Sequence, residues 1–405
     1  FNSLGLPTST TVSIISELVG ASIAVALWTA AGDGRSAYEV VNAGPVFGIY
    51  TGIFLSVIVA FVTSAVLMFL IRLVYGRDLR ASFPRWGWLW TGTAFACIGY
   101  FVVYKGLSSS GLVPADTMAT LREQLPLLLA GVFVVAAGVG VVLRNRYRTV
   151  LGVILLAGTG ALGLAFAGND LVNFIGPSVA AAQAVLVEGV DLSGRVTTPP
   201  WALALAGLVM VTSLAVSQKS RRVRDTEVRL ASRGDAEQRF QPGPMSRTVV
   251  AIASVAFSTA RLMIPMSLRR ATDGRVRPMK IEAGDAPYDL LRASVNLVVA
   301  SLLISLGTAN GLPLSTTYIT FMCAMGASLG DRTWRAEDAD RRVAGILTVL
   351  GCWLMTGLIA ASGAFVMASI IIVGGPFGVP AAVGLLAIGV WRLARVQSRL
   401  APVVD

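Results

Sequence analysis

The chain is a series of long apolar runs separated by short polar segments. The runs long enough to cross a bilayer, which takes about 20 residues, lie at 46–71, 87–104, 125–143, 149–187, 200–217, 248–267, 285–306 and 343–373. Shorter candidates lie at 12–31 and 377–391. The pattern predicts an all-α fold, a polytopic transmembrane helical bundle.

The polar segments differ in their content of lysine and arginine. Six of them hold 27 of the 33 basic residues: 72–86, 144–148, 218–247, 268–284, 331–342 and 392–405. Because basic loops remain in the cytoplasm, we predict a multi-pass protein of the cell membrane with these six segments inside. Successive loops then alternate between the two sides of the membrane only if 248–267 makes no net crossing and if 285–330 enters and leaves the membrane on the same side.

Two segments therefore depart from simple membrane-spanning helices. The first, 285–330, becomes a re-entrant hairpin whose tip is Gly-Leu-Pro-Leu-Ser-Thr-Thr at 311–317. Such backbone is tolerated in the bilayer only where it is buried in protein or lines a wet cavity. The second, 149–187, would extend about 58 Å as one helix, so we predict a broken, partly re-entrant helix interrupted at 167–170, where its polar residues lie.

The tip motif occurs twice. The first tip, at 5–11, matches the second tip, at 311–317, in six of seven positions, and Gly20-Ala-Ser matches Gly326-Ala-Ser at the same offset of 306. By the charge pattern, the helices that follow the two tips run in opposite directions. The sequence therefore predicts inverted repeats with broken helices and re-entrant hairpins, an architecture of many secondary transporters.

This interpretation divides the chain into six parts. They are 1–31, the end of a first repeat whose upstream part is missing; 32–148, intervening transmembrane helices; 149–217, the first part of the second repeat; 218–247, a basic cytoplasmic linker; 248–330, the rest of the second repeat with its hairpin; and 331–405, C-terminal transmembrane helices. The linker has one aromatic residue, which favours a position against anionic lipid headgroups over nucleic-acid binding.

Each tip has the composition of a capped helix N-terminus. Glycine permits the bend, proline starts the helix, and a hydroxyl side chain caps it, leaving free N–H groups at a positive helix end. Such an end binds anions, its oxygens can equally coordinate a hard monovalent cation, and a simple capped helix start is the alternative. The candidate residues are Ser9, Thr10, Thr11, Ser315, Thr316 and Thr317.

An aspartate and two asparagines interrupt the apolar run 149–187. A carboxylate within the membrane costs roughly 2.5 to 3.5 kcal/mol and is by default a functional-site hypothesis. Asp170 can coordinate Na⁺ or carry a proton, while Asn169 and Asn173, four residues apart, share a helix face. Hydrogen-bonded packing between helices is the alternative.

The composition excludes several kinds of chemistry. Hydrophobic residues make up 55% of the 405-residue chain, charged residues make up 14%, and histidine is absent. Without histidine there is no Ser-His-Asp or Cys-His nucleophile and no His-ligated metal. The three cysteines have no metal-ligand spacing. We therefore predict that the protein is not an enzyme and has no cofactor.

The two tips, together with Gly-Asn-Asp-x-x-Asn at 168–173, which we call the Asn-Asp element, resemble the signatures of the inorganic phosphate transporter (PiT) family over 1–31 and about 149–330. This resemblance implies a secondary transporter of inorganic phosphate coupled to Na⁺ or H⁺. It implies that phosphate is bound by Ser9, Thr10, Thr11, Ser315, Thr316, Thr317, Asn169 and Asn173. It implies that Na⁺ is bound by Asp170, Asn169, Asn173, Thr11 and Thr317.

The family motif commonly continues with histidine, whereas Val12 and Tyr318 follow the tips here. This difference shifts the expected coupling ion towards Na⁺. We therefore expect a cation-coupled phosphate symporter that works by alternating access. Its partners are inorganic phosphate, Na⁺ or H⁺, and the lipid bilayer, with no nucleic acid, and homo-oligomers are left open. A sulfate permease on the same scaffold and a passive anion channel are the alternatives.

Overall fold

The computed structural model describes residues 6–33, 43–103, 114–186, 198–217, 220–223, 225–226, 241–263, 266, 289–310, 312, 314–334 and 336–400. These residues are helical apart from short turns and connections. The α-helices are α1 (Thr10–Asp33), α2 (Ala43–Tyr75), α3 (Leu79–Phe101), α4 (Ala115–Glu123), α5 (Leu125–Val142), α6 (Tyr147–Phe166), α7 (Val172–Leu186), α8 (Pro200–Val216), α9 (Pro244–Met263), α10 (Leu290–Ala309), α11 (Thr316–Gly330), α12 (Ala336–Gly374) and α13 (Gly378–Leu400). The predicted all-α class is confirmed.

Six helical stretches are long and apolar enough to cross a membrane. They are Thr10–Thr29, Val46–Tyr75, Leu125–Val142, Tyr147–Leu186, Leu290–Ala309 and Ala339–Arg392. The last contains two helices, since α12 and α13 meet at a 3₁₀ turn, Gly375–Phe377. The protein is therefore a multi-pass membrane protein. Among the described residues, α9, which covers most of 248–267, is not one of the six.

The break predicted at 167–170 is not present: the helix continues from Tyr147 to Leu186, with a π-helical turn where the break was expected. α6 passes into α7 through the π turn Ala167–Leu171, and Asn169, Asp170 and Leu171 are buried in it. A π turn inside a helix is uncommon and frequently marks a functional site. The polar residues thus occupy one wide turn between two α-helices.

Helix α4 was not predicted. Its nine residues are too few and too polar to form an apolar run, and they lie between the apolar runs 87–104 and 125–143. Asp116 in its first turn and Arg122 in its last suit the helix dipole. The charged residues were used only to assign segments to one side of the membrane, so this local helix signal was overlooked.

Helix α1 packs along α12. A Cβ added at Gly20 would collide with the Ala361 carbonyl oxygen, so this glycine lets the two backbones touch. Eight residues further along each helix, Trp28 Nε1 donates to Ser369 Oγ at 3.1 Å. Because the partner positions advance together, α1 and α12 run parallel.

Helix α11 packs along α2 in the same way. A Cβ at Gly326, the repeat equivalent of Gly20, would collide with the Phe61 carbonyl oxygen, and one at Gly330 would collide with that of Ala65. These contacts also advance together, so α2 and α11 run parallel. We call α1 and α11 the tip helices. Each tip helix therefore packs along the helix that comes next in the chain after the other tip helix, an arrangement that we call the crossed packing.

The core is centred on α10 and α11. It is built from apolar side chains of α2, α3, α6, α10 and α11 and the first half of α12, with Leu151, Val295, Phe321 and Trp353 among its members. By contrast, α5 and α13 expose many large apolar side chains, as expected of helices that face lipid. The second tip, between α10 and α11, consequently lies in the enclosed part of the molecule.

Candidate functional site

The two tips lead into α1 and α11, and an equivalent serine caps each helix. Ser9 Oγ accepts a hydrogen bond from the backbone N–H of Val12 at 3.2 Å. Ser315 Oγ accepts one from the backbone N–H of Tyr318 at 3.3 Å. Each cap satisfies one of the helix's first N–H groups, and the others have no acceptor within the helix. The predicted capped N-termini are thus present at both tips, although Gly5, Gly311 and Pro313 lie outside the described residues.

Asp170 is buried where the Asn-Asp element meets the tips, with 9% of its surface exposed. The Thr316 hydroxyl donates to Asp170 Oδ2, and Asn169 Nδ2 donates to Asp170 Oδ1 at 3.1 Å. The Thr10 side chain is also close enough to hydrogen-bond the carboxylate. None of these donors carries a charge, so the carboxylate is solvated by neutral groups.

The two asparagines connect the element to both tips. Asn169 Nδ2 donates to the backbone carbonyl of Leu314, immediately before Ser315, at 3.3 Å. Asn173 Nδ2 donates to Thr11 Oγ1, in the first turn of α1, at 3.5 Å. A single helical segment therefore touches the N-terminal ends of two helices that are more than 300 residues apart in the sequence.

A cavity of about 470 Å³ opens beside these contacts. Thr11, Asn169, Asn173 and Thr308 contribute polar groups to its lining, and the rest of the lining is mainly apolar. A concave, mostly apolar site with a few converging polar groups is the usual form of a small-molecule site. The cavity can therefore admit a small ion at the junction of the tips and the Asn-Asp element.

The remaining predicted site residues have other surroundings. The hydroxyl oxygens of Ser9 and Ser315 serve as helix caps. Thr317 is half-buried, and among the described residues no hydrogen bond joins its hydroxyl to the Asn-Asp element. Thr308, on α10, was not predicted. Single hydroxyl residues are common in apolar helices, so nothing in the sequence distinguished Thr308 from a residue that only packs against its neighbours.

A second buried polar cluster was also missed. Arg72 is fully buried, and its Nε and Nη2 lie 2.6 Å from Asp331 Oδ1 and from Asp289 Oδ2. Arg77 Nη1 lies 2.7 Å from Asp331 Oδ1, and Arg292 Nη1 lies 3.5 Å from Asp331 Oδ2. We call these five residues the arginine network. Arg72, Arg77 and Asp331 lie in segments that were interpreted only as cytoplasmic basic loops. Asp289 and Asp331, each at the end of an apolar helix, could have indicated that basic partners lie nearby.

Comparison with known proteins identifies the chain's relatives. A protein of Pyrococcus abyssi named "Putative phosphate permease" is 30% identical over 261 residues, which are 62% of this chain and 59% of that protein. A protein of the same name from Thermococcus kodakarensis is 30% identical over 232 residues, 52% of this chain and 50% of that one. The matches thus span between half and three-fifths of the length of these relatives.

A solved structure titled "The sodium-dependent phosphate transporter" aligns with a TM-score of 0.49 and 16% sequence identity, over 91% of this chain and 87% of that one.

The family model described as "Phosphate transporter family" (PHO4) matches residues 1–221. The match includes the first tip and the Asn-Asp element. It also includes 32–148, which the motif resemblance did not cover, and it ends before the second tip. Because it covers more than half of the 405 residues, the chain belongs to the phosphate transporter family.

Proposed function

We propose that the full-length protein carries inorganic phosphate across the cell membrane together with a cation, by alternating access. The observation that carries the proposal is the junction at the cavity, where two capped helix N-termini meet a buried carboxylate. Helix N-termini favour an anion, whereas the carboxylate favours a cation. A site with both features is better suited to bind an anion and a cation together than to bind either ion alone.

Phosphate binds, in this proposal, at the end of the cavity lined by Thr11, Asn169 and Asn173. The amide groups and hydroxyls there can donate to its oxygens, and the backbone N–H groups at the starts of α1 and α11 add their dipoles. The other hydroxyls assigned to phosphate are those of Ser9, Thr10, Ser315, Thr316 and Thr317. Ser9 and Ser315 contribute indirectly, because their hydroxyl oxygens cap α1 and α11 and so hold the two helix ends in position for phosphate.

The cation binds at Asp170. Without it, the carboxylate would repel phosphate by about 4 kcal/mol for each pair of unit charges 4 Å apart at an effective dielectric constant of about 20. A cation between the two reverses that interaction, which links phosphate binding to the ion gradient. The proposed cation ligands are the oxygens of Asp170, Asn169, Asn173, Thr11 and Thr317.

Na⁺ is the favoured coupling ion because Val12 and Tyr318 stand where a titrating histidine would follow the tips. Thr316 and Asn169 currently direct donor hydrogens at the carboxylate. Binding of Na⁺ at the carboxylate therefore requires Asn169 to turn its amide oxygen towards the cation, and it weakens the hydrogen bond from Thr316. Since Thr316 begins α11, cation binding is coupled directly to a tip helix.

The crossed packing supports inverted repeats. α1 and α12 run parallel, and so do α2 and α11. If α1 and α2 are consecutive spans of opposite direction, the two tip helices α1 and α11 must also run in opposite directions. This agrees with the side assignment from the basic segments, in which 331–342 is cytoplasmic. The re-entrant course of 285–330 and the linker role of 218–247 belong to the same proposal.

The test is uptake of labelled phosphate by the full-length protein in liposomes under an inward Na⁺ gradient, an inward H⁺ gradient or no gradient. The proposal predicts accumulation driven by Na⁺ that is blocked by unlabelled phosphate and little affected by equal sulfate. Equal inhibition by sulfate would indicate a sulfate permease. Uptake at a fixed rate regardless of any gradient would indicate a passive channel, and either result overturns the proposal.

A further inference from the structure

A second cavity, of about 640 Å³, lies between α3, α5 and α6, away from the candidate site. Its walls are almost entirely apolar, with Phe95, Leu128, Val132, Val135, Val139 and Val153 among them. We call it the outer groove. Exposed apolar surface is ordinary on a membrane-spanning helix, but this surface is concave and therefore able to hold one molecule in a defined place.

Close packing of α3 against α5 shapes the groove. A Cβ at Gly140 would lie 2.9 Å from the Trp88 Cα, and one at Gly92 would lie 2.8 Å from the Phe133 side chain. These contacts fix the two helices to each other. At Gly131, by contrast, an added Cβ would meet no atom within 4 Å, so the groove is open there and is already formed in the folded protein.

One end of the groove is strongly basic. The turn between α5 and α6 carries the exposed Arg144 and Arg146, and the exposed Arg148 is the second residue of α6. We call these three residues the arginine turn. Leu143 and Val150, on either side of this turn, both line the groove. The arginines are therefore at the mouth of an apolar channel rather than on an unrelated loop.

Helix α3 contributes to the same end. Arg85 is exposed and lies one helical turn before Trp88, which packs on Gly140 near the end of α5. Asp78 is the one acidic residue in 72–86 and 144–148, and its carboxylate caps α3 by accepting from the N–H groups of Arg80 and Ala81. The charge at the mouth is consequently positive.

We propose that the outer groove binds one anionic glycerophospholipid, with an acyl chain in the apolar channel and the phosphate headgroup on the arginine turn. Arginine guanidinium groups suit phosphate oxygens because they donate paired hydrogen bonds. Basic pockets between transmembrane helices are known to hold anionic headgroups. A zwitterionic lipid matches the channel equally well but brings an ammonium group to the arginines, so charge selects the anionic lipid.

The headgroup contact is tested by native mass spectrometry of the full-length protein exchanged into equal amounts of phosphatidylglycerol and phosphatidylcholine. The wild-type protein is expected to retain phosphatidylglycerol about tenfold better. Arg144→Gln/Arg146→Gln should remove this preference. Arg392→Gln/Arg395→Gln, which removes two arginines from α13 far along the chain from the groove, should preserve it. Equal retention of the two lipids by the wild type, or equal effects of the two double variants, overturns the proposal.

The acyl-chain contact is tested with two glycines of α5. Gly131 and Gly138 both have open space at the Cβ position, but only Gly131 lines the groove. Gly131→Phe should reduce retention of both lipids, while Gly138→Phe should not. Identical retention by the two variants contradicts the proposal. So does a dimer that Gly131→Phe abolishes without loss of lipid, because the groove would then be a contact between two copies of the chain.

Discussion

The candidate site and the arginine network both bury an aspartate at an end of α11, but they solvate it differently. Asp170 faces the N-terminal end of α11 and accepts hydrogen bonds from neutral groups. Asp331 follows the C-terminal end, is fully buried, and lies within 4 Å of side-chain nitrogens of Arg72, Arg77 and Arg292. Burial of a carboxylate costs several kcal/mol unless it is compensated. The arginines compensate Asp331, whereas the hydrogen-bond donors at Asp170 are neutral, which is why the proposal places the cation there.

This difference shows that burial of a carboxylate does not by itself identify a transport site. The charges of its neighbours decide between a structural and a functional role. A carboxylate held by guanidinium groups ties helices together, and here it joins α2 to α10 and α11. A carboxylate held by hydroxyls and amides can exchange those partners for an ion.

The largest expected effect is on stability, at the arginine network. Asp331→Ala removes the carboxylate that three arginines share and leaves buried positive charge without its full compensation, which should cost about 3 to 5 kcal/mol. Thermal unfolding and the yield of monodisperse protein in detergent measure the loss. Asp116→Ala, at an exposed carboxylate in α4, is the control and should change little. Comparable stability of the two variants would show that Asp331 is not structural.

The next effect is on transport, at the tip. Thr316→Val keeps the shape of the side chain but removes the hydroxyl that donates to Asp170. A hydrogen bond to a charged group contributes about 1.5 to 3 kcal/mol, so phosphate uptake at low Na⁺ should fall about tenfold or more. Thr320→Val, further along α11, is the control, because the Thr320 hydroxyl donates to the Thr317 backbone carbonyl and has no role in the site. An equal loss of uptake in the two variants would contradict the role given to the Thr316 hydroxyl at Asp170.

The crossed packing of the tip helices is tested by adding single methyl groups. Gly20→Ala and Gly326→Ala each force a Cβ against a backbone carbonyl, and overpacking of this kind costs about 1 to 3 kcal/mol. The two variants should destabilise similarly because the two contacts are repeat equivalents. Gly152→Ala, where the Cβ meets nothing within 4 Å, should be neutral or stabilising. A destabilising effect at only one tip would argue against equivalent packing.

The smallest effect is expected at the helix cap. Ser315→Ala removes the acceptor for the Tyr318 N–H and should cost about 1 kcal/mol. Ser315→Asn can restore the cap and with it the stability. Unfolding temperatures of the two variants separate this role from a direct contact with phosphate, since a ligand role would leave Ser315→Asn stable but inactive.

The features that sequence analysis predicted well are local or apolar. Helix bounds follow the apolar runs, and the caps at Ser9 and Ser315 depend on residues three positions away. The sequence also singled out the two tips and the Asn-Asp element as candidate site segments, and the structure brings these three segments together.

The features that were missed depend on distant contacts or on detailed backbone geometry. Arg72 and Asp331 are 259 residues apart, and each looks like an ordinary loop charge in its own segment. The interruption near Asp170 was expected as a break, yet it is a π turn. Helical periodicity does not separate those two forms, since both leave the same polar residues within an apolar run.

The most direct test of the central claim is Asp170→Asn in the full-length protein, measured as labelled phosphate uptake with and without a Na⁺ gradient. The substitution keeps the size of the side chain and removes its charge. The expected result is a folded protein whose phosphate uptake no longer responds to the gradient. Uptake driven by Na⁺ as in the wild type would contradict the account, because Asp170 would then be a packing residue and the cation would bind elsewhere.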